Sequence, residues 1–213
     1  MRTHTARTHP TGRRGRREVD PITLDDGSEL VVRSVGRQDE TLLAGLVHSL
    51  SDESAYRRFL GPKSQLTRAE LRYFTDLDHR DHDALLALDP RTGAAVAVAR
   101  YIRDPRHPDA AELAVLVGDA WQARGLGTAL SRRLAQRARS NGIGRFRALT
   151  LADNRPALKL IERLGSTRHV RDGHNVEIEV KIPAAPTHRT PRRAPWIRGA
   201  WSRLRRGARF TDS

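Results

Sequence analysis

Residues 111–128 read AELAVLVGDAWQARGLGT. Apolar residues dominate up to Val117, a loop follows from Gly118 to Arg124, and Gly125 and Gly127 bracket the start of a run with Leu126, Leu130, Leu134 and Ala138 on one helical face. A strand therefore enters a loop and a helix leaves it. Glycines at such a junction let the backbone come close to a ligand, and successive N–H groups at a helix N-terminus attract an anion. Arg124 adds a positive charge. The chemistry fits a phosphate or pyrophosphate, with a merely tight connection as the alternative. Neither the Gly-Lys-Ser/Thr of a P-loop nor the glycine spacing of a dinucleotide fingerprint is present.

Outward from this junction, the spacing predicts strands at 83–89, 94–103 and 111–117, the first two joined by a turn between Pro90 and Gly93. Ahead of them lie a strand at 29–35 after Asp26-Gly27, and a helix from about Gln38 carrying Leu42, Leu43, Leu46, Val47 and Leu50. A second helix is capped by Ser51 and ended by Gly61-Pro62. A third opens with the Thr67/Glu70 capping box and buries Leu71 and Phe74. Beyond the central helix, stopped by Asn141-Gly142, come a strand at 145–151, a helix at 155–164 with Pro156 in its first turn, and a strand at 176–182 alternating Val176, Ile178, Val180 and Ile182 with charged residues. The order predicts an α+β domain of 21–183, with a mixed, mostly antiparallel central sheet and helices on both faces.

The chain has 213 residues and no cysteine, which excludes disulfides, Cys-ligated metals and thiol nucleophiles. No stretch approaches ~18 consecutive apolar residues, and the basic N-terminus lacks the apolar segment of a secretory signal, so the expectation is a cytoplasmic protein without a transmembrane segment. Residues 1–18 hold six Arg and one Glu; 184–213 hold eight Arg and one Asp. These tails carry +12 of the formal +14, so a fold basic over its whole surface is not supported. The 1–20 tail is expected to be disordered. The 184–213 tail is either disordered or a basic amphipathic helix around Trp196, Ile197, Trp201 and Leu204, able to contact an anionic membrane or nucleic acid.

Gln122-Ala123-Arg124-Gly125-Leu126-Gly127 after an apolar strand resembles motif A of the GCN5-related N-acetyltransferase (GNAT) superfamily, and 147–165, RALTLADNRPALKLIERLG, is similar to its motif B. Together with LSDESAYRRFL at 50–60 and DHDALLAL at 81–88, the chain resembles the bacterial Pat-type protein lysine acetyltransferases across about 29–183. The resemblance implies the GNAT fold and acetyl-CoA as co-substrate. By position, Gln122, Arg124, Gly125, Leu126, Gly127 and Thr128 would hold the pyrophosphate, Leu116 and Val117 the pantetheine arm, and Asn154 would contact the cofactor. Glu112 falls where such enzymes place their general base.

The chemistry gives Glu112 a task. A lysine amine with a pKa near ~10.4 is mostly ammonium at neutral pH and must lose a proton before it attacks a thioester. A nearby carboxylate, directly or through a water, accepts that proton. The bland alternative is a strand-end glutamate facing water. Two departures stand out: Leu160 takes the region of a Tyr that protonates the CoA thiolate in many relatives, and Ser166 replaces an aromatic. The expected activity is acetyl transfer to a primary amine, foremost a protein lysine. The alternatives are a small amine such as a polyamine or antibiotic, and a non-catalytic acyl-CoA-sensing module.

Other clusters point elsewhere. Asp76, Asp78, His79, Asp81, His82 and Asp83 crowd together without a spacing that fixes a metal geometry, and no metal is expected. His48 is expected to pack partly buried, and His107 to sit in a loop. Tyr56 and Phe59 read as core residues or as lining of the acceptor cleft, and Trp121 as an anchor of the cofactor loop.

Overall fold

A computed structural model describes residues 20–61, 63 and 65–183. Both predicted tails lie outside these residues except for Asp20, as does Pro62. The chain starts with a hairpin of β1 (Asp20–Thr23) and β2 (Glu29–Ser34), turning at Gly27 with φ 80°. After a 3-10 turn come α1 (Glu40–His48), α2 (Asp52–Phe59) and α3 (Arg68–Thr75). The meander β3 (His82–Leu88), β4 (Ala95–Arg103) and β5 (Ala110–Val117) follows, then α4 (Leu126–Ser140), β6 (Arg145–Leu151), α5 (Arg155–Glu162), β7 (Ser166–Asp172) and β8 (Asn175–Lys181).

The eight strands form one sheet in the order β1-β2-β3-β4-β5-β6-β8-β7. Every neighbouring pair is antiparallel except β5 and β6. Helices cover both faces. Leu126, Leu130, Leu134 and Ala138 of α4 and Ile161 of α5 pack with Ala97, Ala99, Tyr101, Leu113, Phe146 and Ile178 on one side. Leu43, Leu46 and Val47 of α1 cover Leu86 and Leu116 on the other. Each such leucine taken out of water contributes about 1.5–3 kcal/mol. Asp83, fully buried in β3, pairs with Arg137 Nε of α4 at 2.9 Å and lies 2.8 Å from His79 Nδ1, contacts that tie helix to sheet.

Most predicted elements are present, with ends shifted by a residue or two. Ser51 Oγ caps α2 by accepting from the Ser54 N–H, and the Thr67–Glu70 box caps α3 in both directions. Two strands were not anticipated. Nearly every residue of β7, STRHVRD, is exposed, so it carries no apolar alternation, and β1 is a four-residue edge strand containing Pro21. The helix expected from Gln38 begins at Glu40, behind the 3-10 turn. His48 is exposed rather than packed, because it sits in the last turn of α1 on the face opposite Leu46 and Val47. Tyr56 is also exposed, whereas Phe59 packs against the Leu46–Val47–Leu116 cluster.

The acidic run 76–83 is committed to its own fold. Asp78 Oδ1 accepts from the N–H groups of Arg80, Asp81 and His82, Asp76 pairs with Arg37, and Asp81 pairs with Arg103. No helix among the described residues is long and apolar enough to cross a membrane.

Candidate active site

The site originates in an interrupted ladder. β5 and β6 pair only over Ala110↔Arg145, Ala111↔Phe146 and Glu112↔Arg147, although both strands continue. Beyond Glu112 they separate, and a cleft of about 690 Å³ opens between residues 113–117 and 148–150. That volume is typical of a small-molecule site. The strands part because each has a different partner to follow: β5 stays registered with β4 through Val117↔Ala97, and β6 with β8 through Leu151↔Asn175.

At the head of the cleft the chain turns twice through left-handed backbone, at Ala123 (φ 59°) and Gly125 (φ 81°), before α4 begins. Gly125 is the N-cap residue and tolerates this φ without strain. Among the described residues no hydrogen bond uses the backbone N–H of residues 123–128; the first one satisfied is Ala129, which donates to the Gly125 carbonyl. Five of those six residues (123 and 125–128) line the cleft. The result is a row of unused donors at the positive end of a 15-residue helix, suited to an anion. Gly127 is needed for packing: a Cβ there would approach Leu160 Cδ1 to 2.7 Å and Val117 Cγ2 to 3.4 Å.

The Gln122 side chain has another task. Its Nε2 lies 3.2 Å from the Val117 carbonyl, 3.0 Å from Ser54 Oγ and 3.0 Å from Asp119 Oδ1. Asp119 in turn accepts from the Ser51 N–H (2.7 Å) and from Ser54 Oγ (2.5 Å). The loop is thereby fastened to the start of α2. Those hydrogen bonds hold the Asp119 carboxyl below the usual carboxylate range against the opposing effect of burial, which is its largest single influence. Trp121 packs on the main core and lines the cleft, which suits its anchoring role.

Arg124 is placed differently from the expectation. Its Nη1 sits 3.2 Å from Asp26 Oδ2 in the β1–β2 turn, and its guanidinium lies over the Trp121 ring at 5.1 Å. Leu116, Val117 and Asn154 do line the cleft. Asn154 caps α5, its Oδ1 accepting from the Ala157 N–H at 3.3 Å. Leu160 lines the cleft beside Gly127, and it has no proton to give.

Glu112 is exposed, lines the cleft, and makes no hydrogen bond or ion pair with the other described residues. It is the only acid among the described lining residues, set against Arg57, Arg58, Arg155, Lys159 and Arg163. An excess of cations suits a polyanionic ligand. Sequence reasoning missed Arg58, Ser54, Asp119 and Asp26 as site residues. Only Ser54 and Arg58 left a trace, being four apart on one face of α2.

A profile described as the Acetyltransferase (GNAT) family matches residues 47–166. The chain belongs to the GNAT family. Among curated proteins it is 34% identical to Acetyltransferase Pat of Mycolicibacterium smegmatis over 168 residues, 78% of this chain and 50% of that protein. It is 30% identical to Acetyltransferase PA5475 of Pseudomonas aeruginosa over 145 residues, 67% of this chain and 77% of that protein. Among solved structures, the GNAT domain of S. lividans PAT superposes with TM-score 0.71 at 32% identity, covering 77% of this chain and 97% of that one. The chain thus spans about half the length of the M. smegmatis relative, and over 77% of its own length it shares the GNAT fold of the S. lividans domain.

Proposed function

We propose that this protein transfers an acetyl group from acetyl-CoA to a primary amine, a protein lysine above all, in the cytoplasm. One observation carries the reading: the unused N–H row after β5 and the Glu112 carboxylate near the start of β5 line one cleft. A pyrophosphate at the N–H row leaves a pantetheine arm to run along β5 toward Glu112. The bound thioester supplies the electrophilic carbonyl carbon. Glu112 takes a proton from the arriving ammonium, directly or through a water, and frees its lone pair for attack. A main-chain N–H near Leu116 is suited to the developing oxyanion. The C–N bond forms, the C–S bond breaks, and solvent protonates the CoA thiolate, since Leu160 cannot.

Calorimetric titration with acetyl-CoA, with turnover measured on the same samples, tests this reading. Gly125→Asp puts a carboxylate amid the free N–H groups and forces a β-carbon into left-handed backbone; it is expected to abolish binding. Glu112→Gln is expected to keep binding and lower kcat by about 10²-fold or more. An unchanged kcat in Glu112→Gln removes this residue from the mechanism. Mass spectrometry of candidate proteins beside a panel of small amines separates lysine from small-molecule acceptors.

A further inference from the structure

The sheet face that carries Glu112 holds two guanidiniums the acetyl-transfer scheme leaves without a task. Arg100 of β4 is opposite Ala114, two residues from Glu112 on the same face. Arg58 reaches this face from α2 and lines the main cleft beside Glu112. Both arginines also line a second, adjoining cavity of about 30 Å³, which shares Arg58, Phe59, Ala114 and Leu116 with the cleft.

Among the described residues neither guanidinium has an ion-pair partner. Arg58 forms no hydrogen bond or ion pair with the described residues; its guanidinium lies 5.2 Å from the centre of the Phe59 ring. Arg100 lies over the Phe74 ring at 3.7 Å, with Nε and Nη1 buried and without acceptors among the described residues. Burial and the like charge of Arg58 push the Arg100 pKa down to about 10, with Tyr73 and then Glu112 acting in the opposite sense. Burial likewise lowers Arg58, again opposed by Glu112. His82, on the same face, is also shifted down, by burial and by Arg100 against the opposing Asp78 and Asp83. Glu112, the proposed base, thus acts on both guanidiniums at a distance and pairs with neither. A guanidinium fork is matched to a second carboxylate. The 112/114/116 face of β5 looks toward α1 and α2, away from α4 and its N–H row, so a ligand group here arrives with the amine and not with CoA.

We propose that Arg58, backed by the charge of Arg100, binds a carboxylate of the acceptor and selects a lysine with an acidic neighbour. This specificity rests on the acetyl-transfer reading above, so its test includes a readout that needs no turnover. Peptides with a single lysine, and Asp scanned through the three positions on either side of it, are compared with their Asn counterparts in wild type, Arg58→Ala and Arg58→Lys. At the best position the wild type should prefer Asp by about tenfold in kcat/KM, Arg58→Ala should lose the preference, and Arg58→Lys should keep part of it. In parallel, the Nε–H resonances of Arg58 and Arg100 should shift with the Asp peptides and not with the Asn ones. Arg100→Met, which keeps the apolar contact with Phe74, should weaken the preference. A protein that shows the resonance shifts but acetylates nothing retains the carboxylate site and loses the catalytic reading. Equal use of Asp and Asn peptides with no resonance shift overturns the proposal, as does a preference that survives Arg58→Ala.

Discussion

Arg124 Nη1 and Asp26 Oδ2 are 3.2 Å apart, so the cation next to the N–H row is held by a carboxylate of the β1–β2 turn. The pair is partly exposed on both sides, where ion pairs are weak and screened by salt. The Ser28 N–H bond is the main influence holding the Asp26 carboxyl below its usual range, and Arg124 adds to it. A pyrophosphate at the cleft head would have to draw Arg124 away from Asp26 or bind without it.

Asp26→Asn is therefore expected to tighten acetyl-CoA binding. At low ionic strength the gain should be about threefold, and it should vanish as the salt rises toward ~1 M, where the screening length falls to ~3 Å. Titrations at two salt concentrations check it. A looser complex in Asp26→Asn would mean that the turn positions Arg124 for the ligand.

Gly165 closes the chain against β8. A Cβ there would collide with the Lys181 carbonyl oxygen and come within 3.2 Å of Pro183 Cδ. Backbone cannot yield as the tip of a leucine can, so Gly165→Ala should lower stability by about 2 kcal/mol or more, in the range of overpacking. Gly127→Ala meets mainly the mobile end of Leu160, so it should cost less stability. Urea denaturation of the two variants decides the order.

The α3 cap has a pH signature. Lys63 Nζ, 2.7 Å from Glu70 Oε1, and then the Thr67 N–H hold the Glu70 pKa down to about 2, from an ordinary 4.5. A depressed carboxylate contributes its stability above the unfolded value and loses it as the pH falls through the folded one. The wild type should therefore exceed Glu70→Gln in Tm by a constant margin above pH ~4.5, and the margin should shrink toward zero near pH ~2. A margin unchanged across that window would show that the capping geometry, not the charge, stabilises the helix.

Much of this architecture is legible in local pattern. The strand–loop–helix of 111–128 reads directly because its signals are consecutive: an apolar run, glycines at the left-handed turn, and a helical stripe. The Thr67/Glu70 box is equally local. β7 was not legible, since an exposed edge strand has no buried face to impose alternation. The fastening of Gln122 to Ser54 joins residues 68 positions apart, and the Arg124–Asp26 pair crosses from one end of the domain to its middle. The Arg58–Arg100 pair depends on α2 lying over β4 and β5, a matter of tertiary placement. The split between β5 and β6 follows from the register each strand keeps with its other neighbour, which no single strand encodes.

That split divides the polypeptide as well as the sheet. Apart from the short zipper at residues 110–112 and 145–147, one wall of the cleft is built by chain before Val117 and the other by chain after Arg145, with α4 as the covalent bridge. A molecule lying between them occupies the place of an absent ninth strand, in contact with early chain on one flank and late chain on the other. The substrate is then also a structural member, a stitch that draws the first-made and last-made parts of the domain into one load-sharing sheet.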